Sequence, residues 1–174
     1  EEARHHGDDV ADAAQAILDR DPIELVPAKL PKMPDGLDAL ARPKLKDGRV
    51  LSRDATNAIL EMLSFSPIDP PYAGIEQLKD ACDARSLDAF VESLVRAWVA
   101  NGMITAHEWC VRAVALIGSD KAARFLFDRG RAWALDNAKQ RAILSLDVLG
   151  AMGTDLALSL VGRVSRSGAR QYMK

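Results

Sequence analysis

The chain has 174 residues, of which 48% are hydrophobic and 28% charged, and its formal net charge at pH 7 is −2. This composition is typical of one globular domain and excludes disordered and fibrous chains. No apolar run approaches the roughly 20 residues that span a bilayer, and no segment resembles a signal peptide. We therefore expect a single α-helical domain over residues 1–174, cytoplasmic and without a membrane partner. Both termini suggest a fragment of a longer protein.

Residues 1–51 predict a helix followed by an extended strap. Asp8 or Asp9 can cap a first helix, whose apolar positions keep helical spacing up to Asp21. The Asp47-Gly48 pair then allows one minor β-hairpin. Between these features, prolines interrupt any long helix and apolar residues fit a Pro-rich strap lying on a helical core. The prolines are Pro22, Pro27, Pro31, Pro34 and Pro43.

Three helices are predicted next. Ser52 caps a helix over residues 52–65, and a shorter helix follows over residues 72–82. Ser86 is expected to cap the third helix, which ends near residue 101. Its apolar stripe is too broad for a surface helix. We therefore place this third helix centrally, between the strap and the repeats that follow it.

Residues 105–167 contain one helix-turn-helix pattern twice, with an offset of 35 positions. The offset aligns Gly118-Ser119-Asp120 with Gly153-Thr154-Asp155, together with apolar residues on both sides of each turn. A period in this range is typical of stacked helical hairpins. Each hairpin leaves apolar surface that only a neighbouring hairpin can cover. Residues 52–174 therefore predict an all-α fold of HEAT-like helical hairpin repeats, a short α-solenoid.

Local signals predict the helix ends of the first hairpin. Thr105 and Glu108 have the spacing of a capping box, so the first helix is expected to begin there. Gly118 is expected to turn left-handed and end that helix, and one of the two residues after it is expected to cap the next. The second helix is expected to end before Gly130. Gly153 and its neighbours repeat the same pattern.

The sequence contains no pattern of enzymatic or metal chemistry. His107, Glu108 and Cys110 are close in the chain, but adjacent helical positions diverge by about 100°, so these side chains do not converge by themselves. His107 is expected at the surface. His5 and His6 lack further ligands at a suitable spacing. Phosphate-binding loops, the zinc-protease motif and the hydrolase elbow are absent from the sequence. We therefore expect no enzyme, no catalytic residue, no cofactor and no metal.

Tryptophans and cysteines are interpreted as core residues. Trp98, Trp109 and Trp133 lie at apolar helical positions or repeat junctions, which favours core anchors over platforms that stack on bases. Cys82 and Cys110 lie in apolar helical stretches. This position favours two reduced, buried thiols over a disulfide or a metal site.

The C-terminal part of the chain is basic. Residues 121–174 contain ten Lys and Arg residues against four Asp residues, so the excess of negative charge lies in residues 1–120. Such an asymmetry can mark an interaction surface. Alternatively, the Arg and Lys residues simply solvate the outer helix faces and favour helix C-termini. The candidate residues are Arg124, Arg131, Arg141, Arg163, Arg166 and Arg170.

Two functions are compatible with this surface. The first is a non-enzymatic scaffold that binds another protein or other domains of the same polypeptide. The alternative is a nucleic-acid-binding module whose basic repeats follow phosphates. Only Arg131 and Arg166 are equivalent in the two repeats, so the basic residues form no regular ladder. This irregularity favours the scaffold.

Four segments carry a resemblance to a known family: PYAGIE at residues 71–76, the helix over residues 90–98, residues 109–118, and LDVLGAMGTDLAL at residues 146–158. The last segment is the most specific. Over roughly residues 43–174 the chain resembles the MolR-like bacterial proteins, whose large domain is one of unknown function and some of which carry a WGR domain.

That resemblance implies HEAT-like repeats inside a long multidomain regulatory protein, associated by its name with molybdate metabolism. It implies no catalytic residue. Ala134 stands beside Trp133 where a Pro is expected in relatives, so the turn between the repeats is expected to differ.

Overall fold

The structure, a computed structural model, describes residues 27, 29–31 and 33–166, with side chains as far as residue 164. The predicted first helix, together with His5 and His6, lies outside these residues. Within the described chain the helices are α1 (Arg53–Phe65), α2 (Ala73–Ala81), α3 (Ala84–Ala100), α4 (Trp109–Ile117), α5 (Asp120–Leu135), α6 (Lys139–Met152) and α7 (Asp155–Arg166).

The helices form two layers. In one layer α1 and α2 contact α4, and α4 contacts α6; in the other α3 contacts α5, and α5 contacts α7. The layers meet where α3 packs on α4 and α5 packs on α6. The described residues contain no strand, so the predicted all-α helical-repeat fold is confirmed. Within the same residues, no helix has both the length and the apolarity needed to cross a membrane.

The broad apolar stripe of α3 lies in the core, as predicted. Phe90 and Leu94 are fully buried and Trp98 is 1% exposed. The Trp98 and Trp133 rings meet edge to face with centroids 5.9 Å apart, which joins α3 to α5. The Trp98 indole N–H donates to the carbonyl of Ile104 at 2.9 Å, so this buried polar group is satisfied. With Trp109 also buried, the prediction of three tryptophan anchors is confirmed.

The Pro-rich segment lies across α3, also as predicted. The Ser93 hydroxyl accepts a hydrogen bond from the Ala41 N–H at 3.2 Å, and the Ser86 hydroxyl accepts one from the Lys44 N–H at 2.9 Å. Leu40 is buried in the hydrophobic core. These contacts make the strap part of the packed domain.

The predicted β-hairpin is reduced to a turn. Lys44 and Val50 form an isolated antiparallel bridge, and no strand extends from it in the part of the chain that the structure describes. Gly48 has φ of 87°, and the Asp47 carboxylate accepts from both the backbone N–H and the guanidinium of Arg49. These two bonds lower the pKa of Asp47. The turn forms without a ladder because a two-stranded hairpin adds little stability by itself.

The predicted cap of α3 is wrong. The N-cap is Asp83, whose carboxylate accepts from the Ser86 N–H at 2.9 Å. The Ser86 hydroxyl instead donates to the carbonyl of Asp83 at 2.7 Å and accepts from the strap. Asp83 is the cap because its carboxylate, three residues before Ser86, lies within hydrogen-bond distance of a backbone N–H in the first turn.

The predicted capping box of α4 and the predicted end of α5 are also wrong. Thr105 opens a short 3₁₀ turn (Thr105–His107), and α4 begins only after Glu108, which makes no side-chain cap. α5 passes through Gly130 and continues to Leu135. Gly130 is buried inside this helix, so the helix tolerates it as a packed position.

The two equivalent turns differ in backbone conformation. Gly153 has φ of 66°, as predicted, whereas Gly118 has φ of −78° and ψ of 150° and is not left-handed. A Cβ on Gly118 would lie 2.6 Å from the carbonyl oxygen of Val114 and 2.9 Å from Cβ of Ala122. Glycine is therefore needed at this position for the close approach of two helices.

Hydrogen bonds between turns and helices hold the stack in register. Asp88 of α3 is 2% exposed, and its carboxylate accepts from the N–H and the hydroxyl of Ser119 at 2.8 and 2.6 Å. The carboxylate of Asp120 accepts from the hydroxyl of Thr154 at 3.0 Å. Ser119 and Thr154 also bond backbone N–H groups at the starts of α5 and α7. Each start is thus tied to the preceding helix of the same layer.

Replacement of the two kinds of glycine should have opposite effects. Gly118→Ala is expected to lower the free energy of unfolding by about 1–3 kcal/mol, because the added methyl group overlaps the carbonyl oxygen of Val114 and the methyl group of Ala122. Gly150→Ala in α6 is the control: nothing lies within 4 Å of its added Cβ, and helix propensity should stabilise it by about 0.5–1 kcal/mol. Urea unfolding followed by circular dichroism measures both. A Gly118→Ala variant as stable as the parent would contradict the close approach.

Candidate interaction surface

α5 carries a charged stripe along its outer face. The members are exposed, follow one another at intervals of three or four residues, and therefore share one side of the helix. The stripe runs for about 21 Å, since an α-helix rises about 1.5 Å per residue. This α5 stripe consists of Lys121, Arg124, Asp128, Arg131 and Leu135.

The outer face of α3 continues the α5 stripe. Arg96 is exposed, and its guanidinium lies 5.0 Å from the centroid of the Phe125 ring of α5. The carboxylate oxygens of Glu92 lie 3.6 Å from Nη2 of Arg96 and 3.6 Å from Nζ of Lys121. Arg85 is exposed three turns earlier on the same side of α3. We call the α5 stripe together with Arg85 and Arg96 the basic face.

Aromatic rings orient two of the arginines. Arg96 lies over Phe125, and Arg129, which is half-buried beside the stripe, lies 5.6 Å from the Trp133 ring centroid. Cation–π contacts of this kind hold the planar guanidinium while its N–H groups can still bond a partner. The ion pairs of Glu92 are partly exposed, so they orient Arg96 and Lys121 more than they stabilise the fold.

The structure assembles only part of the predicted surface. Arg124 and Arg131 belong to the α5 stripe, and Arg163 is exposed on α7, the next helix of that layer. Arg141 is half-buried on α6, in the other layer, and so does not belong to the basic face. The Arg166 side chain and Arg170 lie outside the described residues.

Sequence reasoning missed Arg85 and Arg96, because they lie in the acidic part of the chain. A search for basic residues on the solvent side of the α3 stripe could have found both. Their separation of eleven residues puts them on one face, opposite the buried residue Leu94.

His107 and Cys110 are buried and Glu108 is half-buried, so the expectation that His107 lies at the surface is wrong. His107 is 7% exposed. Among the described residues, neither its Nδ1 nor the Nε1 of Trp109 has a hydrogen-bond partner. His107 belongs to a 3₁₀ turn instead of the predicted first turn of an α-helix. Burial raises the pKa of the Cys110 thiol to about 12. Within the described residues no three His, Cys, Asp or Glu side chains form a group that could hold a metal ion.

These features define a helical-repeat protein with a basic outer face, and comparison with known proteins adds one relative. The chain is similar to the uncharacterized protein YehI of Escherichia coli (strain K12), with 33% identity over 161 residues. The similarity covers 91% of this chain and 13% of that relative, so the chain spans a small part of its length. No family model matches the chain, and no solved structure matches it.

Both cysteines should be unreactive in the folded protein. Cys82 and Cys110 are free and buried, and burial raises the pKa of both thiols, whereas the reactive species is the thiolate. We expect alkylation by iodoacetamide at pH 8 to be roughly a hundredfold slower in buffer than in urea. Mass spectrometry of timed samples measures the two rates. A native Cys110 that reacts as fast as the unfolded one would contradict its burial.

Proposed function

We propose that this chain is a non-enzymatic interaction domain, a helical-repeat scaffold of a larger bacterial cytoplasmic regulatory protein. The observation that carries the proposal is the basic face, which extends over α3 and α5 and is held by aromatic and hydrogen-bonded contacts between them. Stacked helical repeats bind partners through such extended surfaces and need no active site. The partner is another protein or another domain of the same polypeptide.

The chemistry of the buried groups supports a non-enzymatic role. Cys110 would have to lose its proton to act as a nucleophile, and its pKa of about 12 keeps the thiol protonated near neutral pH. In the part of the chain that the structure describes, the Nδ1 of His107 has no carboxylate or other partner to orient it. The resemblance to the MolR-like proteins, and with it the WGR and molybdate associations, remains part of this proposal.

Binding of nucleic acid is the second candidate, and the clustering of cations on the basic face favours it. Lys and Arg residues that neutralise phosphates give an affinity that falls steeply with salt. The exposed carboxylate of Asp128 lies inside the α5 stripe and opposes a phosphate backbone. Salt-insensitive or absent binding to duplex and single-stranded probes at low ionic strength would reject this candidate.

Affinity capture from bacterial lysate tests the proposal. The baits are the parent chain, the face variant Arg124→Glu/Arg131→Glu, and a control variant, Lys79→Glu/Lys139→Glu. The control changes the net charge equally at exposed residues of α2 and α6, two helices of the other layer. Each capture is repeated after nuclease treatment, and bound proteins are identified by mass spectrometry.

We expect to capture a protein partner with the parent and with the control variant, both before and after nuclease treatment. The face variant should not capture it. Charge reversal at two exposed residues should remove this attraction without disturbing the core. Recovery of nucleic acid alone, or equal loss of the partner from both variants, would contradict the proposed function.

A further inference from the structure

The α5 stripe combines three cations with an apolar end. Lys121, Arg124 and Arg131 are exposed, and Leu135 ends the helix with 83% of its surface exposed. This is the most exposed of the large hydrophobic side chains in the described chain. A surface that only solvates the helix does not require a leucine in line with the charges. The pattern resembles one side of an interface.

The spacing of the α5 stripe matches a helical partner. Its members recur at three and four residues, which is the spacing at which a second α-helix packed lengthwise presents its own side chains. The length of about 21 Å corresponds to about four turns of such a helix. Extended chains repeat their side chains at about 6.7 Å on one face and would lose this register.

The charges of the basic face select acidic residues on the partner. Arg124 and Arg131 present guanidinium groups, which bond carboxylates with two parallel hydrogen bonds. Arg96 is held over the Phe125 ring, so less freedom is lost when a partner binds it. A helix with Glu or Asp at the matching positions would therefore be attracted and aligned.

The exposed carboxylate of Asp128 favours a protein over a nucleic acid as the occupant. Asp128 lies between Arg124 and Arg131 in the α5 stripe. A phosphate backbone carries negative charge at regular intervals and would meet this carboxylate. A helix can place a Lys opposite Asp128 and a Leu opposite Leu135. Neither contact is available to a phosphate backbone.

We propose that the α5 stripe binds an acidic amphipathic α-helix of a protein partner, with carboxylates against Lys121, Arg124 and Arg131 and an apolar side chain against Leu135. This inference rests on the proposed function, because it names the partner of the same face. Binding by a second copy of this chain or by nucleic acid is an outcome that would overturn it.

Fluorescence anisotropy with the purified chain tests the inference. The probe is a labelled synthetic helical peptide of about 18 residues, with Glu placed to face the three cations, Lys to face Asp128 and Leu to face Leu135. A scrambled peptide of the same composition is the first control. Labelled single-stranded and duplex DNA of similar length are the second. Sedimentation velocity of the chain alone reports self-association.

We expect the designed peptide to bind roughly tenfold more tightly than its scrambled form and more tightly than either DNA. The face variant Arg124→Glu/Arg131→Glu should lose this binding, and the control variant Lys79→Glu/Lys139→Glu should keep it. Leu135→Ser should weaken it roughly fivefold without any change in charge, because an apolar contact is lost. Ile143→Ser, at an exposed residue of α6, should leave it unchanged.

Several results would overturn the inference. These are equal binding of designed and scrambled peptide, tighter binding of DNA, no effect of Leu135→Ser, and a stable homodimer formed through this face. If the lysate partner is lost from the face variant while the designed peptide fails to bind, the inference fails and the proposed function stands. If the lysate partner binds the face variant as well as the parent, both are rejected.

Discussion

The carboxylate of Asp88 accepts two hydrogen bonds from Ser119, and this contact determines how α5 lies on α3. A buried carboxylate is costly unless it is bonded, so the turn before α5 has little freedom to move away from α3. Ser119 is also the N-cap of α5. The start of that helix, and with it the position of Lys121 beside Glu92, follows from this one buried contact.

The second turn repeats the arrangement with a weaker interaction. Asp120 accepts from the hydroxyl of Thr154, which caps α7, but this bond is exposed. In both turns, a carboxylate on one helix therefore accepts a hydrogen bond from the hydroxyl that caps the next helix of the same layer. The stack is therefore regular in its contacts although Gly118 and Gly153 differ in conformation.

Local patterns predicted most of the fold, and tertiary contacts explain what they missed. The helices, the strap over α3 and the tryptophan anchors follow from apolar spacing and from Pro and Gly positions, which are visible along the chain. The cap of α3 was missed because Asp83 and Ser86 are both residue types that can cap a helix, and the sequence does not decide between them. The basic face was only half predicted: stacking of α3 on α5 brings Arg96 from the acidic half of the chain to Phe125, and no sequence spacing encodes that approach.

The helix stack depends most on the two hydrogen bonds from Ser119 to Asp88, and a double-mutant cycle measures the bond made by the hydroxyl. Unfolding free energies of the parent, Asp88→Ala, Ser119→Ala and the double variant isolate the coupling between the Asp88 carboxylate and the Ser119 hydroxyl, because the Ser119 N–H is kept in every variant and the capping loss of Ser119→Ala cancels. A hydrogen bond to a buried carboxylate predicts a coupling of about 1–3 kcal/mol. Additive effects, with a coupling below about 0.3 kcal/mol, would contradict the claim that this contact sets the stack.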